Sequence, residues 1–186
     1  MKYDVFISYS HKDHELVRSF ENKLQAKGLT VFKDDQIVPA CTFDDPIATA
    51  ISNANIFLPV VTESYIESEY ARIELLHALG TAKKSGLMII PMLIEPVTPN
   101  NLPMEFEILI GSLQCFSGSF VDVEQKVLEV LVKDKRERTK AEILNRAFQN
   151  WNYGDYYEAE MDINDLLQDP VYVNDPKGHL GNLTTM

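Results

Sequence analysis

Short runs of consecutive apolar residues recur along the first half of the chain: Val5-Phe6-Ile7 within Tyr3 to Ser8, Leu29 to Phe32, Asn55 to Val61, and Leu87 to Ile94. They are too short for helices and rich in β-branched and aromatic residues, so they predict strands buried on both faces. The segments between them carry helical spacing. From Asp13 to about Lys27, Leu16, Val17, Phe20 and Leu24 share one face, with Asp13 placed to cap the start and Gly28 to end it. A second helix follows Asp44 or Asp45 as cap, with Pro46 in its first turn, and runs to about Asn53. A third runs from about Tyr65 to Lys84 and stops at Gly86. Beyond a proline-rich loop from Glu95 to Pro103, the pattern gives a short helix over Met104 to Ile110, a fifth strand over Leu113 to Phe116, and a helix from Val121 to about Lys133.

Strands alternating with helices predict an α/β fold, a parallel sheet of five strands with helices on both faces. Ligands of such sheets sit beyond the carboxyl ends of the strands. Three pieces gather there: the turn after the first strand (Ser8 to Lys12), the long loop Lys33 to Phe43, and the start of the helix after the third strand. The charged run Lys133 to Lys140 reads as a solvated helix end or linker. It divides the chain into a first domain over residues 1–135 and an acidic helical tail over 136–186. Residues 141–186 hold eight acids against two bases. Within roughly 140–170, Gly154 to Ala159 with Leu166-Leu167 and Pro170 resembles the second helix of a tetratricopeptide repeat, and Ala147 and Trp151 fit the first. One such hairpin cannot bury its own apolar face, so it packs on the first domain, on another copy, or on further repeats. The last residues, from Lys177, read as frayed.

Composition narrows the function classes. The chain has 186 residues, 45% of them hydrophobic, and a net charge of −11. Such an acidic chain has no footprint for non-specific nucleic-acid binding and is repelled by anionic membrane surfaces. Cys41 and Cys115 form no CxxC pair and point to neither a disulfide framework nor zinc. No signal peptide or spanning segment is visible, so the expected location is the cytoplasm.

Among the chemistries considered, Cys41 has no recognisable base, Cys115 sits in an apolar strand, and His11/His14 lack a third ligand, so no metal and no cofactor is expected. No Gly-rich phosphate loop follows the first strand. What remains is Glu74, set among Tyr70, Ala71, Ile73, Leu75, Leu76 and Ala78 on the third helix. On base rates it is a solvated surface glutamate. A fixed carboxylate at the loop end of a sheet also suits cleavage of an N-glycosidic bond. There it stabilises an oxocarbenium-like transition state while a nearby aromatic ring stacks on the departing base.

Asp4 to Asp13 (DVFISYSHKD), Val31-Phe32-Lys33-Asp34, and Ser64 to Leu75 (SYIESEYARIEL) resemble, in order, the successive motifs of a Toll/interleukin-receptor (TIR) domain, over about residues 1–135. The resemblance implies a flavodoxin-like fold. One branch of that family is non-catalytic and assembles through the loop after the second strand. The other cleaves NAD at the nicotinamide–ribose bond, as an NAD glycohydrolase or cyclase, with an aromatic residue four positions before a catalytic glutamate. Here that spacing is Tyr70 to Glu74, with Tyr in place of the usual Trp, and Pro39-Ala40 stands where Pro-Gly is usual. Carried over by position, Glu74 is catalytic, and Tyr9, Ser10, His11, Phe32, Lys33 and Tyr70 bind the substrate NAD. The resemblance further implies bacterial antiphage immunity and self-association through TIR domains, with a protein partner for the tail left open. A non-catalytic TIR interaction module and a nucleoside deoxyribosyltransferase-like enzyme are the competing readings.

Overall fold

The computed structural model describes residues 2–33 and 46–168, except for the side chain of Lys33. The loop Lys33 to Phe43 beyond its first residue, Cys41, the caps Asp44 and Asp45, Pro170 and the frayed end therefore lie outside the described residues. The chain divides into two compact units, Met1–Val132 and Lys133–Met186.

In the first unit, β1 (Tyr3–Ser8) pairs in parallel with both β2 (Val31–Lys33) and β3 (Ala54–Val61). The fourth strand comes in two pieces, β4 (Met88–Ile89) and β5 (Met92–Ile94), both alongside β3. They flank Ile90-Pro91, where proline has no N–H to give the ladder. The sequence led us to expect one strand from Leu87 to Ile94. The last strand, β6 (Phe116–Gly118), pairs with β5, slightly later than the expected Leu113 to Phe116. Strand order is β2-β1-β3-β5-β6 and every pairing is parallel. The α/β architecture expected from the alternation is the one observed.

The apolar runs are continuous because both faces of the sheet are covered. On one face Val5 and Ile7 of β1 and Ile56, Leu58 and Val60 of β3 pack with α1 (His14–Ala26) and the first turns of the longest helix, α6 (Phe120–Tyr153). On the other face Phe6, Phe57, Val61 and Leu93 pack with α2 (Pro46–Ser52), α3 (Glu63–Ile66), α4 (Glu69–Ser85) and α5 (Met104–Ile110). Successive residues of a strand point to opposite faces, so Ser8 follows Phe6 toward the α4 side while Tyr9 joins the α1 side.

The single helix expected from Tyr65 to Lys84 is two helices. Thr62 caps α3, accepting from the Tyr65 N–H at 3.0 Å, and Ser68 caps α4, accepting from the Ala71 N–H at 3.2 Å. Each serves donors that a helix start leaves without partners. Gly86 ends α4 at φ 73°, the left-handed position that glycine fills without strain. Asp13 does not cap α1 with its side chain. Its carboxylate instead accepts from the Thr62 hydroxyl at 2.6 Å, tying the turn after β1 to the end of β3.

The charged run 133–140 is helix interior, not a linker or a helix end, because α6 is continuous from Phe120 to Tyr153. Its charges pair along the helix, as in Arg138 to Asp134 at 2.7 Å. In the second unit, Gly154 at φ 84° turns the chain into α7 (Tyr156–Leu167), which Asp155 caps. The buried Asp162 accepts a forked guanidinium from Arg146, with Nε 3.0 Å from each carboxylate oxygen. Among the described residues, no helix is long and apolar enough to cross a membrane.

Candidate active site

The carboxyl ends of β1 and β3 lie side by side at the centre of the sheet, in the register Ser8 to Pro59. The strand order reverses between them, where crossover connections leave for opposite faces and open a crevice. α4 crosses this point on one face. Its buried stripe is Ala71, Glu74, Leu75 and Ala78, at the spacing i, i+3, i+4, i+7. Glu74 is thus on the core side of the helix and only 4% exposed, which rules out a solvated surface glutamate.

A buried carboxylate needs hydrogen bonds in place of water. The Ser8 hydroxyl, at the last position of β1, donates to Glu74 Oε2 at 2.5 Å. The Tyr65 hydroxyl, from the fully buried side chain in α3, lies 3.0 Å from Ser8 Oγ and donates to the Ala71 carbonyl at 3.2 Å. Burial pushes the Tyr65 phenol well above its ordinary range, and the nearby Glu74 charge pushes the same way against the Ser8 hydrogen bond. Tyr65 therefore stays a proton donor under all ordinary conditions.

The residues singled out from the sequence fall into separate groups. Tyr70 lies in the first turn of α4, one turn before Glu74, and is 41% exposed, at the rim of the buried stripe. Phe32 lies on the same sheet face as Ser8, stacked on Phe6 with ring centres 5.2 Å apart. It also contacts Tyr3 and packs against the core of that face. Tyr9 and Ser10 are buried after β1; Tyr9 sits on the α1 face, with the His11 and His14 rings 6.3 and 6.5 Å away. His11 is exposed in the 3-10 turn that leads into α1. Lys33 ends β2 in register with Ile7.

Ser8 and Tyr65 were not among the candidates read from the sequence. The signal for Ser8 is a hydroxyl closing an otherwise apolar buried strand, on the parity of Phe6. For Tyr65 the sequence offers only an aromatic residue three places after a capping threonine.

Other features carry less chemistry. An open apolar groove of about 720 Å³ lies between α4, β4 and α5, lined by residues that include Leu76, Leu79, Ile89, Ile108 and Leu113. Neither Glu74 nor Tyr70 lines it, and its walls hold no acid, so we assign the chemistry to the carboxylate and not to this groove. Cys115 is half-buried, and burial pushes its thiol up, away from the thiolate a nucleophile needs. Among the described residues, no three potential metal ligands gather.

Comparison with known proteins places these features in a family context. A family model described as TIR domain matches residues 5–131. The chain is 28% identical to the disease resistance protein RPP4 of Arabidopsis thaliana over 139 residues, 74% of this chain and 11% of that protein. It is 33% identical to a probable 2′ cyclic ADP-D-ribose synthase, TcpO, of Methanobrevibacter olleyae over 75 residues, 39% of this chain and 22% of that protein. The chain thus spans only a small part of these curated relatives. Among solved structures, the TIR domain of the Toll-related receptor TRR-2 of Hydra magnipapillata matches with a TM-score of 0.56 at 24% identity. That match covers 73% of this chain and 99% of the receptor domain, and it establishes likeness of fold.

Proposed function

The chain belongs to the TIR-domain family, and on that premise we propose that it cleaves NAD at the nicotinamide–ribose bond, with Glu74 as the catalytic carboxylate. The observation that carries this reading is the placement of Glu74: nearly buried, on the core stripe of α4, held by a hydroxyl from the end of β1. Keeping a carboxylate in an apolar stripe costs stability that hydrogen bonds only partly offset, and electrostatic stabilisation of a growing positive charge is a task it suits.

The chemistry balances without a resident cofactor, with NAD as the substrate. As the C1′–N bond breaks, its electron pair goes to the pyridinium nitrogen and neutral nicotinamide leaves. The ribose becomes oxocarbenium-like, and the Glu74 carboxylate offsets its charge. Attack by water, which loses a proton, gives ADP-ribose; attack by a nucleophile within the same molecule gives a cyclic ADP-ribose. Tyr70, at the rim, is the stacking ring for the departing base, and Tyr9, Ser10, His11, Phe32 and Lys33 are proposed as the nucleotide-binding set. The name of the relative TcpO supports the reaction class, and that of RPP4 supports a setting in immune defence, which we propose to be bacterial and directed against phage.

The test is nicotinamide release from NAD by the purified protein, with products resolved by chromatography and protein concentration varied. Glu74→Gln is expected to lower turnover on the order of 100-fold or more. Tyr70→Trp should retain activity while Tyr70→Ala raises KM. Equal turnover by Glu74→Gln and wild type removes Glu74 from the reaction. Turnover of unphosphorylated nucleosides in place of NAD would point to a deoxyribosyltransferase.

One observation favours a second role. Ile73 and Leu76 of α4 and Met104 and Ile108 of α5 are all exposed apolar residues. Such a surface suits protein contacts, and self-association through it would make activity rise with protein concentration. NAD left intact at every concentration at which the protein assembles would favour a non-catalytic interaction module.

A further inference from the structure

We infer that Ser8 and Tyr65 form a one-directional hydrogen-bond relay that fixes the orientation of the Glu74 carboxylate, so that both are positioning residues for the reaction proposed above.

The direction follows from counting protons. Ser8 has one hydroxyl proton, and its Oγ lies 2.5 Å from Glu74 Oε2, at the short end for a hydroxyl donating to a carboxylate. With that proton committed, Ser8 Oγ can only accept. Tyr65 also has one proton, and two oxygens are within reach: Ser8 Oγ at 3.0 Å and the Ala71 carbonyl at 3.2 Å. Both are acceptors, so the Tyr65 proton is shared between them, and polarity runs from Tyr65 through Ser8 to Glu74. A hydroxyl that accepts one hydrogen bond donates the next more strongly.

The relay is also mechanically fixed. Ser8 ends an interior strand, in register with Pro59 of β3, and is not on a loop. Tyr65 is held by the Thr62 cap at its own N–H, and its hydroxyl reaches back to the first turn of the helix that carries Glu74. Three elements therefore converge on one carboxylate, the arrangement that holds a reacting group within the small tolerances catalysis demands.

The test rests on the NAD-cleavage reading for its kinetic arm and is independent of it for its spectroscopic arm. In protein labelled with ¹³C at the glutamate carboxyl carbon, the Glu74 resonance is identified by its absence in Glu74→Gln and titrated in wild type, Ser8→Ala, Tyr65→Phe and the double variant. Ser8→Ala removes a donor to the charged form, so the Glu74 midpoint should move up. Tyr65→Phe should move it the same way by less. In the double variant Tyr65→Phe should add less than it does alone, because the Tyr65 hydroxyl reaches the carboxylate chiefly through Ser8. In NAD cleavage, Ser8→Ala should lower kcat by about 10- to 100-fold with KM changed about twofold or less. An unmoved Glu74 midpoint in Ser8→Ala, or a Tyr65→Phe effect that adds in full on top of Ser8→Ala, overturns the relay. If Ser8→Ala keeps wild-type kcat while Glu74→Gln is inactive, the relay fails and the functional reading stands. If the wild type cleaves no NAD, the functional reading fails and the titration still decides the relay.

Discussion

At the scale of single residues, the candidate site is a case of buried polarity settled by neighbours. Ser8, Tyr65 and Glu74 are all enclosed, and the hydrogen bonds from Ser8 to Glu74 and from Tyr65 to Ala71 stand in for lost water. The phenol also leaves a signature in stability. Its folded pKa lies above the ordinary 10.0 of the unfolded chain. Its contribution to folding is therefore complete below about pH 10 and is lost as pH rises from there toward the folded value. Wild type should lose stability above that point more steeply than Tyr65→Phe, by up to one proton, or ~1.4 kcal/mol per pH unit. Urea denaturation of the two proteins through the alkaline range checks this; parallel pH profiles would mean the phenol is not proton-locked by the fold.

At the scale of elements, the strands were the most legible part of the chain, because burial on both faces leaves an uninterrupted apolar run. Element ends were less legible, because they depend on which partner a polar side chain chooses. Asp13 has the chemistry of a helix cap, yet it accepts from Thr62 across the sheet edge, a choice set by tertiary contact and invisible to local spacing. Thr62 does two things at once, capping α3 and clasping Asp13. Thr62→Val keeps the shape and removes both bonds, so it should destabilise the first unit by about 1–3 kcal/mol, with Thr62→Ser close to wild type. The midpoint of chemical denaturation is the measurement. The split between α3 and α4 was hidden for a related reason. Ser64 to Leu75 contains no glycine or proline to announce a break, and the stop comes from Ser68 capping a new start.

At the scale of the whole molecule, the α/β alternation could be read in advance from the order of apolar runs, and with it the place of the candidate residues at the carboxyl edge of the sheet. Glu74 was singled out through the family resemblance, whereas its hydrogen-bond partner was not, since Ser8 is 66 positions away in sequence. The composition shift after the charged run marks a real change in how stability is obtained. The first unit depends on two large apolar clusters, while the second sets an ion pair between its helices, a buried Asp162 against a largely exposed Arg146. Arg146 holds the Asp162 carboxyl below its ordinary value of 3.8, chiefly through its hydrogen bonds. The pair's contribution is thus complete above about that pH and is lost as pH falls through the lowered value. Amide exchange over residues 133–168 should accelerate in that acid window in wild type. In Asp162→Asn it should be fast already at neutral pH, without an acid step. A wild-type profile flat across the window would remove the pair from the unit's stability.

The alternation along β1 has one more implication. Ile7 faces α1, Ser8 faces α4, and Tyr9 turns back toward α1. An inserted or deleted residue between Tyr3 and Ser8 would therefore exchange the two sides and carry the serine away from the glutamate, however conservative the residue itself. Substitutions at these positions alter the site by degrees, whereas a change of length abolishes it outright.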